Sequence, residues 1–481
     1  MNWKLIIQLL GFLLIIEGLC ILSCCIVSLF YDESNLYAIL LSSLLCIVIG
    51  SIAWYATRRA EKFIGKREGF LIVTLAWILF TLFGALPFIF SGDIPGFTDA
   101  FFETMSGFTT TGATILDNIE GMSYALLFWR SMTQWLGGMG IIVLSLAILP
   151  LLGVGGMQLF VAEMPGPTKD KLHPRIKETA KRLWAIYLTY TIIETILLVM
   201  GGMNLFDAVC HSFTTLSSGG YSTKQASLAY YDSPFIHYVV FLFMFIAGTN
   251  FTLSYFALHL RFRKVFENEE FRFYAGTAGV FSLIFTAVLF LRGNQPAEEC
   301  FRESVFQVVS VMTTTGFSTV DYMSWPPMLV MLVLLMMLIG GSAGSTSGGI
   351  KAVRMLLLIK NSYYELKRMI HPNAVVPLRL NRHAVPTSVV VNIIAFITIY
   401  ALTIAIGAVI MALLGYDVDT SIGAIASSLG NIGPALGSLG PAETFSHLPA
   451  IGKWLLAFLM LFGRLELFTV FIILSPGFYK K

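Results

Sequence analysis

The chain has 481 residues, of which 56% are hydrophobic and 12% are charged, and its formal net charge is +3. Soluble globular proteins carry about 25% charged residues, so this composition excludes that class and indicates a protein that crosses a membrane several times. The small net charge gives no reason to expect a nucleic-acid partner, because basic loops are expected in membrane proteins.

Ten apolar runs satisfy the requirement of about 20 residues for a membrane-crossing helix. Their approximate limits are 4–30, 36–57, 69–90, 124–150, 183–202, 235–260, 274–292, 326–349, 385–414 and 450–475. The first run is too long for a signal-peptide core and no cleavage pattern follows it, so we interpret it as a retained span.

Basic residues are concentrated in six places along the chain. Most of the 31 Lys and Arg lie at Lys4, at Lys480 and Lys481, and in segments 58–67, 169–182, 261–272 and 351–382. Ten spans put all six places on one side, which the positive-inside rule identifies as the cytoplasm. We therefore expect a multi-pass protein of the bacterial cytoplasmic membrane, surrounded by lipid, with both termini in the cytoplasm.

Four glycines recur at roughly hundred-residue intervals, which indicates an internal repeat. Each closes a polar turn between two apolar runs: Gly112, Gly220, Gly316 and Gly433. The residues thirteen positions before these glycines are Asp99, Asp207, Glu303 and Thr420. The seventh residue after each of these carries a hydroxyl: Ser106, Thr214, Ser310 and Ser427. We expect the three acids to cap short helices, where a carboxylate meets free amides and the positive end of the helix dipole. Attraction of cations is the alternative role.

The segment before each turn is too short to cross a membrane. A helix over Phe97–Phe108 would be about 18 Å long, against a hydrocarbon core of about 30 Å. Each segment must therefore enter and return, and irregular backbone at that depth needs a protein-lined or water-filled cavity. The sequence predicts an all-α protein with two leading spans and four repeats of span, short helix, turn and span around one axis.

This organisation divides the chain into five parts. They are a two-span N-terminal domain (1–68) and pore repeats 1 (69–160), 2 (161–270), 3 (271–375) and 4 (376–481). Rings of backbone carbonyls can replace the hydration shell of a monovalent cation, and glycine tolerates the positive φ that such turns need. The expected potassium-binding backbone residues are Thr110, Thr111 and Gly112; Ser218, Gly219 and Gly220; Thr314, Thr315 and Gly316; and Asn431, Ile432 and Gly433.

The eighth apolar run breaks into small residues that cannot form a stable lipid-facing helix. They are Gly340, Gly341, Ser342, Ala343, Gly344, Ser345, Thr346, Ser347, Gly348 and Gly349. A phosphate loop is disfavoured because Ile350 stands where that motif requires lysine and no strand precedes it. We expect a mobile gate beneath the turns, with a fixed helix kink as the alternative.

Charged and polar residues inside apolar runs give further hypotheses. Arg464 lies near the middle of the last run, where a charge is costly and by default functional; a latch or barrier on the ion path is favoured over a structural ion pair. Glu466 does not share its helix face, so each needs another partner. Arg130 is expected to snorkel or to support the first turn. Lys224 is expected to be a solvated loop residue. His211 is expected to be a packed, hydrogen-bonded histidine.

With these features in place, the chain resembles the Trk/Ktr/HKT superfamily of potassium transporters, and within it the TrkH/TrkG membrane subunits. The most specific segments are Trp135–Ile141, Leu152–Glu163, Pro165–Lys171 and Gly344–Lys351. The resemblance implies that the four turn glycines form a potassium filter and that the 340–349 segment gates the pore together with Arg464. It also implies a homodimer with one pore per subunit and a cytosolic TrkA-type subunit that binds nucleotide, NAD or ATP. No cofactor is expected on the chain itself, and K⁺ is the transported ion.

Other function classes fit less well. Gly112 is intact, whereas sodium-favouring plant relatives carry serine at that position, and this favours potassium. A proton- or sodium-coupled secondary transporter is the alternative. An enzyme is not expected, because the sequence offers no nucleophile and base pair, metal cluster or phosphate loop, and the six cysteines have no metal-site spacing.

Overall fold

The computed structural model describes residues 1–60, 65–140, 176–293, 295–373 and 376–479. Two segments that carry the family resemblance, 152–163 and 165–171, lie outside these residues, as do residues 141–150 of the fourth predicted span. The described residues form helices, numbered below in chain order, and one short hairpin.

The two leading spans form a tightly packed helical pair, α1 (Trp3–Phe30) and α2 (Leu36–Ala56). The side chain of Asn2 accepts a hydrogen bond from the Leu5 amide (3.2 Å) and so caps α1. The helices cross where neither has a side chain, since a Cβ added to Gly50 would lie 2.6 Å from the Gly11 carbonyl oxygen. Small residues allow this close approach in membrane helices.

Four times along the chain, a long helix, a short helix, a turn and a second helix follow one another, which is consistent with the predicted repeats. The long helices are α3 (Lys66–Gly84), α7 (Ile176–Met200), α12 (Glu269–Leu291) and α16 (Thr387–Leu413). The short helices, called re-entrant helices 1 to 4, are α5 (Phe97–Phe108), α8 (Leu205–Leu216), α13 (Ala297–Met312) and α17 (Val418–Gly430). The second helices are α6 (Tyr124–Gly138), α9 (Pro234–Ala247), α14 (Pro327–Met337) and α18 (Ala450–Leu465).

The remaining helices and strands do not belong to this recurring set. They are α4 (Leu86–Ser91), α10 (Phe251–Leu258), α11 (Phe262–Phe266), α15 (Ala352–Ile370), α19 (Leu467–Leu474) and α20 (Pro476–Tyr479). Strands β1 (Arg379–Leu380) and β2 (His383–Ala384) pair antiparallel, with Arg379 opposite Ala384.

Within the described residues, six helices are long and apolar enough to span a membrane, or eight if two bent pairs are counted as one span each. The bends, α9 against α10 by 114° and α18 against α19 by 110°, interrupt runs that the sequence predicts as single spans. The predicted break within the eighth run is present, because α14 ends at Met337 and the next helix begins at Ala352.

Re-entrant helix 1 has the bounds expected from the sequence, Phe97–Phe108. Asp99 and Asp207 lie in the first turns of their helices, as expected, but they are not the caps. The N-cap of re-entrant helix 1 is Gly96, and re-entrant helix 2 is capped by the Asn204 side chain, which accepts from the Asp207 amide (2.8 Å). The prediction that Glu303 also lies at a helix N-terminus is wrong. Re-entrant helix 3 begins earlier, at Ala297, and carries Glu298 and Glu299 in its first turn, so Glu303 lies further along the helix. A common offset from the glycine does not fix where the helix starts.

Candidate functional site

The four polar turns have the same backbone conformation. The residue two positions before each glycine has a positive φ although it is not glycine: Thr110 (55°), Ser218 (56°), Thr314 (56°) and Asn431 (56°). The glycines follow with φ of 86° at Gly112, 75° at Gly220, 82° at Gly316 and 104° at Gly433. A positive φ is costly for residues with a Cβ, so its recurrence at the same position of all four turns, whether threonine, serine or asparagine stands there, indicates a shared structural requirement.

The four turns meet in a closed ring. A Cβ added to Gly112 would lie 2.2 Å from the carbonyl oxygen of Gly219 in the next turn, and one added to Gly220 would lie 1.8 Å from that of Thr315. The same approach continues from Gly316 to the Ile432 oxygen (2.0 Å) and from Gly433 back to the Thr111 oxygen (2.7 Å). Each glycine therefore provides space for a carbonyl of its neighbour, and the four carbonyls come from equivalent positions, the residue before each turn glycine.

The re-entrant helices hold these turns through one repeated hydrogen bond. In each turn, the amide of the residue before the glycine donates to a backbone carbonyl in the re-entrant helix. The acceptor is the carbonyl of the serine or threonine that lies six residues before the glycine. These bonds are Thr111 to Ser106 (2.9 Å), Gly219 to Thr214 (2.8 Å), Thr315 to Ser310 (2.9 Å) and Ile432 to Ser427 (3.0 Å). The C-terminal, negative ends of all four helix dipoles thus lead into the ring, which favours a cation there.

Side-chain contacts behind the ring differ between turns. Turns 1 and 3 are each clasped by two of their own hydroxyls, Thr109 with Thr111 (2.9 Å) and Thr313 with Thr315 (2.7 Å). Turn 2 is contacted by Gln134 of α6, which donates to the Gly219 carbonyl (2.7 Å). Gln134 was not predicted from the sequence, although a glutamine within an apolar run is a recognisable signal.

Arg130 supports turns 1 and 2 instead of snorkelling. Its side chain is 2% exposed and its Nε lies 2.7 Å from Glu103 Oε1. The guanidinium also donates to the Ser222 carbonyl (2.8 Å) beyond turn 2, while Glu103 accepts from Thr114 (3.0 Å) and from the Ile115 amide (2.9 Å) beyond turn 1. One buried ion pair therefore links the segments that follow turns 1 and 2.

The other charged and polar candidates also have partners within the protein. Asp99 pairs with Lys453 of α18 (2.6 Å). Asp207 accepts from Thr223 (2.6 Å), and its other carboxylate oxygen lies 3.6 Å from Lys224 Nζ, so Lys224 is not simply a solvated loop residue. His211 is buried and hydrogen-bonded at both ring nitrogens, to the Asp207 carbonyl and to the Ser222 hydroxyl, as expected for a packed histidine.

The 340–349 loop lies directly against the ring. Its Thr346 hydroxyl is 2.9 Å from the Ser218 hydroxyl of turn 2, and the Gly348 amide donates to the Thr314 hydroxyl of turn 3 (2.6 Å). A Cβ added to Gly348 would lie 2.4 Å from the Gly430 carbonyl oxygen at the end of re-entrant helix 4. Three of the four repeats thus contact this loop.

The rest of the loop is anchored to repeats 2 and 3. The Ser342 amide donates to the Gly248 carbonyl (2.9 Å), and the Gly344 carbonyl accepts from Phe251 (3.1 Å), so the loop fills the bend between α9 and α10. The Ala343 amide donates to Glu270 in α12 (2.6 Å). The bend between α9 and α10, which was not predicted from the sequence, therefore binds the 340–349 loop, which was predicted.

Arg464 connects the loop with repeat 1. Its guanidinium donates to the carbonyls of Thr346 (2.8 Å) and Gly138 (3.1 Å), and also to that of Gly137. Glu466 pairs with Arg354 at the start of α15 (2.5 Å). Arg464 and Glu466 therefore have separate partners, as expected from the sequence.

Recesses lie on both sides of the ring. The four turn glycines line one recess together with Arg130 and Lys224. Residues 344–349 of the loop line a second one, together with Arg464, Trp77 and Phe396. The ring and the loop therefore separate two spaces.

Comparison with known proteins identifies the family. The TrkH family model, described as a cation transport protein, matches residues 36–477. The chain belongs to the TrkH family. It is 42% identical over the full length of both chains to the Trk system potassium uptake protein TrkH of Salmonella typhimurium. It is 34% identical to TrkG of Escherichia coli K12, over 99% of each chain.

The fold agrees with a solved TrkH structure. The crystal structure of the potassium transporter TrkH from Vibrio parahaemolyticus aligns over all of both chains, with a TM-score of 0.90 and 37% identity. The all-helical membrane fold and the family resemblance predicted from the sequence are therefore confirmed. Because the TrkH family consists of transporters, the prediction that the chain is not an enzyme is confirmed as well.

Proposed function

We propose that the chain takes up potassium across the cytoplasmic membrane through the ring of carbonyls formed by its four turns. The closed ring is the observation that carries this proposal, since each turn glycine faces a carbonyl of the next turn. Such carbonyls can replace the water around a monovalent cation. The intact Gly112 and the potassium uptake named for the TrkH relatives support potassium as the ion.

The ion would lose its water between the outer recess and the ring, and would leave through the inner cavity. Residues 340–349 act as the gate in this proposal. The loop is hydrogen-bonded to hydroxyls of turns 2 and 3. In this proposal an ion can pass only after the loop has moved. Arg464 holds the loop to repeat 1 through backbone carbonyls and thus acts as the latch.

Regulation would come from the cytoplasmic side. Helix α15 follows the loop, carries Lys367 and Arg368 in its last turn, and exposes large side chains such as Tyr363 and Met369. This exposed surface suits a cytosolic TrkA-type subunit whose NAD or ATP state moves α15. Both termini lie in the cytoplasm, and the functional unit is a homodimer with one ring per subunit.

Growth rescue tests the proposal directly. The chain is expressed in a bacterium that lacks potassium uptake, on medium with low potassium, with and without a cytosolic TrkA-type subunit. Growth that is strongest with the subunit is expected, and failure to grow in both cases would refute potassium uptake. Accumulation in liposomes beyond the imposed membrane potential, driven by a proton or sodium gradient, would instead establish the secondary-transport alternative.

A further inference from the structure

Turn 2 lacks the hydroxyl clasp that holds turns 1 and 3. The corresponding residues are Ser217 and Gly219, and the Ser217 hydroxyl donates instead to the Thr214 carbonyl of its own helix (3.1 Å). Since glycine has no side chain, nothing within turn 2 can reproduce the contact between Thr109 and Thr111. Turn 2 nevertheless has the same backbone conformation as the others, so something else must hold it.

Gln134 occupies the space of the missing side chain. A Cβ added to Gly219 would lie 2.4 Å from both Cδ and Oε1 of Gln134. The glutamine is fully buried in α6 of repeat 1. Its Nε2 donates to the Gly219 carbonyl (2.7 Å) and its Oε1 accepts from the Tyr221 amide (3.0 Å). The two hydrogen bonds bracket Gly220, the turn glycine.

The carbonyl that Gln134 holds belongs to the ring itself. Gly219 contributes the oxygen that faces Gly112 across the contact between turns 1 and 2. A hydrogen bond from a fully buried amide restricts both the position of this oxygen and the direction in which its carbonyl points. In the other three turns, no described side chain donates to the corresponding ring carbonyl of Thr111, Thr315 or Ile432.

We propose that Gln134 is a positioning residue for ion selection: it replaces, from repeat 1, the side chain that turn 2 lacks, and it fixes the Gly219 carbonyl in the ring. This inference rests on the proposed potassium function. Space filling alone would not require the amide group, because an apolar side chain of similar length would pack equally well. The two roles therefore differ in what the substitution Gln134→Met does.

The first test measures potassium and sodium flux through the purified protein in liposomes. Gln134→Met keeps the length of the side chain and loses both hydrogen bonds, of which only the one to the Gly219 carbonyl acts on the ring. The potassium/sodium permeability ratio should therefore fall roughly fivefold, which corresponds to about one lost hydrogen bond. Gln307→Met is the matched control, because Gln307 is also buried in a helix and its Oε1 accepts no described hydrogen bond; its ratio should not change.

The outcomes separate this inference from the proposed function. If the unmodified protein carries no potassium, the proposed function fails. If it carries potassium and Gln134→Met has an unchanged ratio, the role of Gln134 fails while potassium uptake stands. A fall of equal size in the Gln307→Met control would also overturn the specific role of Gln134.

A rescue experiment tests whether the Gln134 side chain fills the space that a side chain at position 219 would take. It does not depend on the folding of Gln134→Met. Gly219 does not have a positive φ, so the backbone accepts threonine there, but Gly219→Thr alone would collide with Gln134 and should lower the ratio. In Gln134→Ala/Gly219→Thr, the new hydroxyl can face Ser217 as Thr111 faces Thr109. Compared with Gln134→Ala and Gly219→Thr alone, the double variant should recover most of the ratio, and a ratio no higher than that of either of these single variants would refute the replacement.

Discussion

Asn431 in turn 4 donates a hydrogen bond to the hydroxyl of Thr111 in turn 1, across 3.0 Å, and a second one to the Met460 carbonyl, across 2.8 Å. The contact joins the first and last repeats, whose turns lie 320 positions apart in the chain. The Thr111 hydroxyl is also hydrogen-bonded to the Thr109 hydroxyl. Side-chain hydrogen bonds therefore connect Thr109 and Thr111 of turn 1 with Asn431 of repeat 4.

Thr111→Val should destabilise the protein more than Thr315→Val. Both variants remove a hydroxyl clasp within a turn, but the first also leaves the Asn431 amide without one acceptor in a buried site. The additional cost should be about 1–3 kcal/mol in the free energy of unfolding. Thermal unfolding of the two purified variants measures the difference, and equal midpoints would argue against the link between turns 1 and 4.

Gly316→Ser should weaken discrimination against sodium. The new Cβ would lie 2.0 Å from the Ile432 carbonyl oxygen, and the positive φ adds strain, so the ring must change shape. The potassium/sodium permeability ratio in liposomes is the measurement. Gly279→Ser in α12 is the control, because a Cβ there meets no atom within 4 Å. The filter assignment is wrong if both variants keep the ratio of the unmodified protein.

Deletion of residues 344–348 should raise potassium leak in the absence of any cytosolic subunit. It removes Thr346 and Gly348, through which the loop contacts turns 2 and 3, as well as the Thr346 carbonyl that Arg464 binds. Flux is measured in liposomes without nucleotide. An unaltered leak in correctly folded protein would support a fixed helix kink instead of a gate.

Arg130→Gln should destabilise the protein strongly, because it leaves Glu103 as a buried carboxylate without its ionic partner. Breaking a buried pair in this way costs about 3–5 kcal/mol. Arg263→Gln provides the contrast, since Arg263 and Glu267 form a pair whose side chains are 91% and 56% exposed, and its removal should leave the unfolding midpoint almost unchanged. Similar midpoints for both variants would contradict the supporting role of Arg130.

The features that could be predicted from the sequence are those with a local chemical signal. Gly112 and its three counterparts stand out because a positive φ selects glycine at a fixed place. The bounds of re-entrant helix 1 follow from its length between a loop and a polar turn. The break at 340–349 is visible because ten small residues in succession cannot form a stable lipid-facing helix.

The features that were missed depend on tertiary contacts. Glu466 has a positive φ of 57° at the bend after α18, yet it stands between two leucines in an apolar run, and its partner Arg354 is distant in sequence. Gln134 acts on a turn of the following repeat. No pattern within one repeat contains that information, because the two repeats meet only after folding.

The order of contacts in the ring also constrains how the protein is made. Turns 1, 2 and 3 contact one another in chain order, while the Gly433 contact with Thr111 closes the ring only from the last repeat. Chains are synthesised from the N-terminus and fold progressively, so the ring stays open until residue 433 has left the ribosome and inserted. A chain released early would lack the final turn and the Arg464 contact together, so truncated products should be recognised as unfinished by membrane quality control.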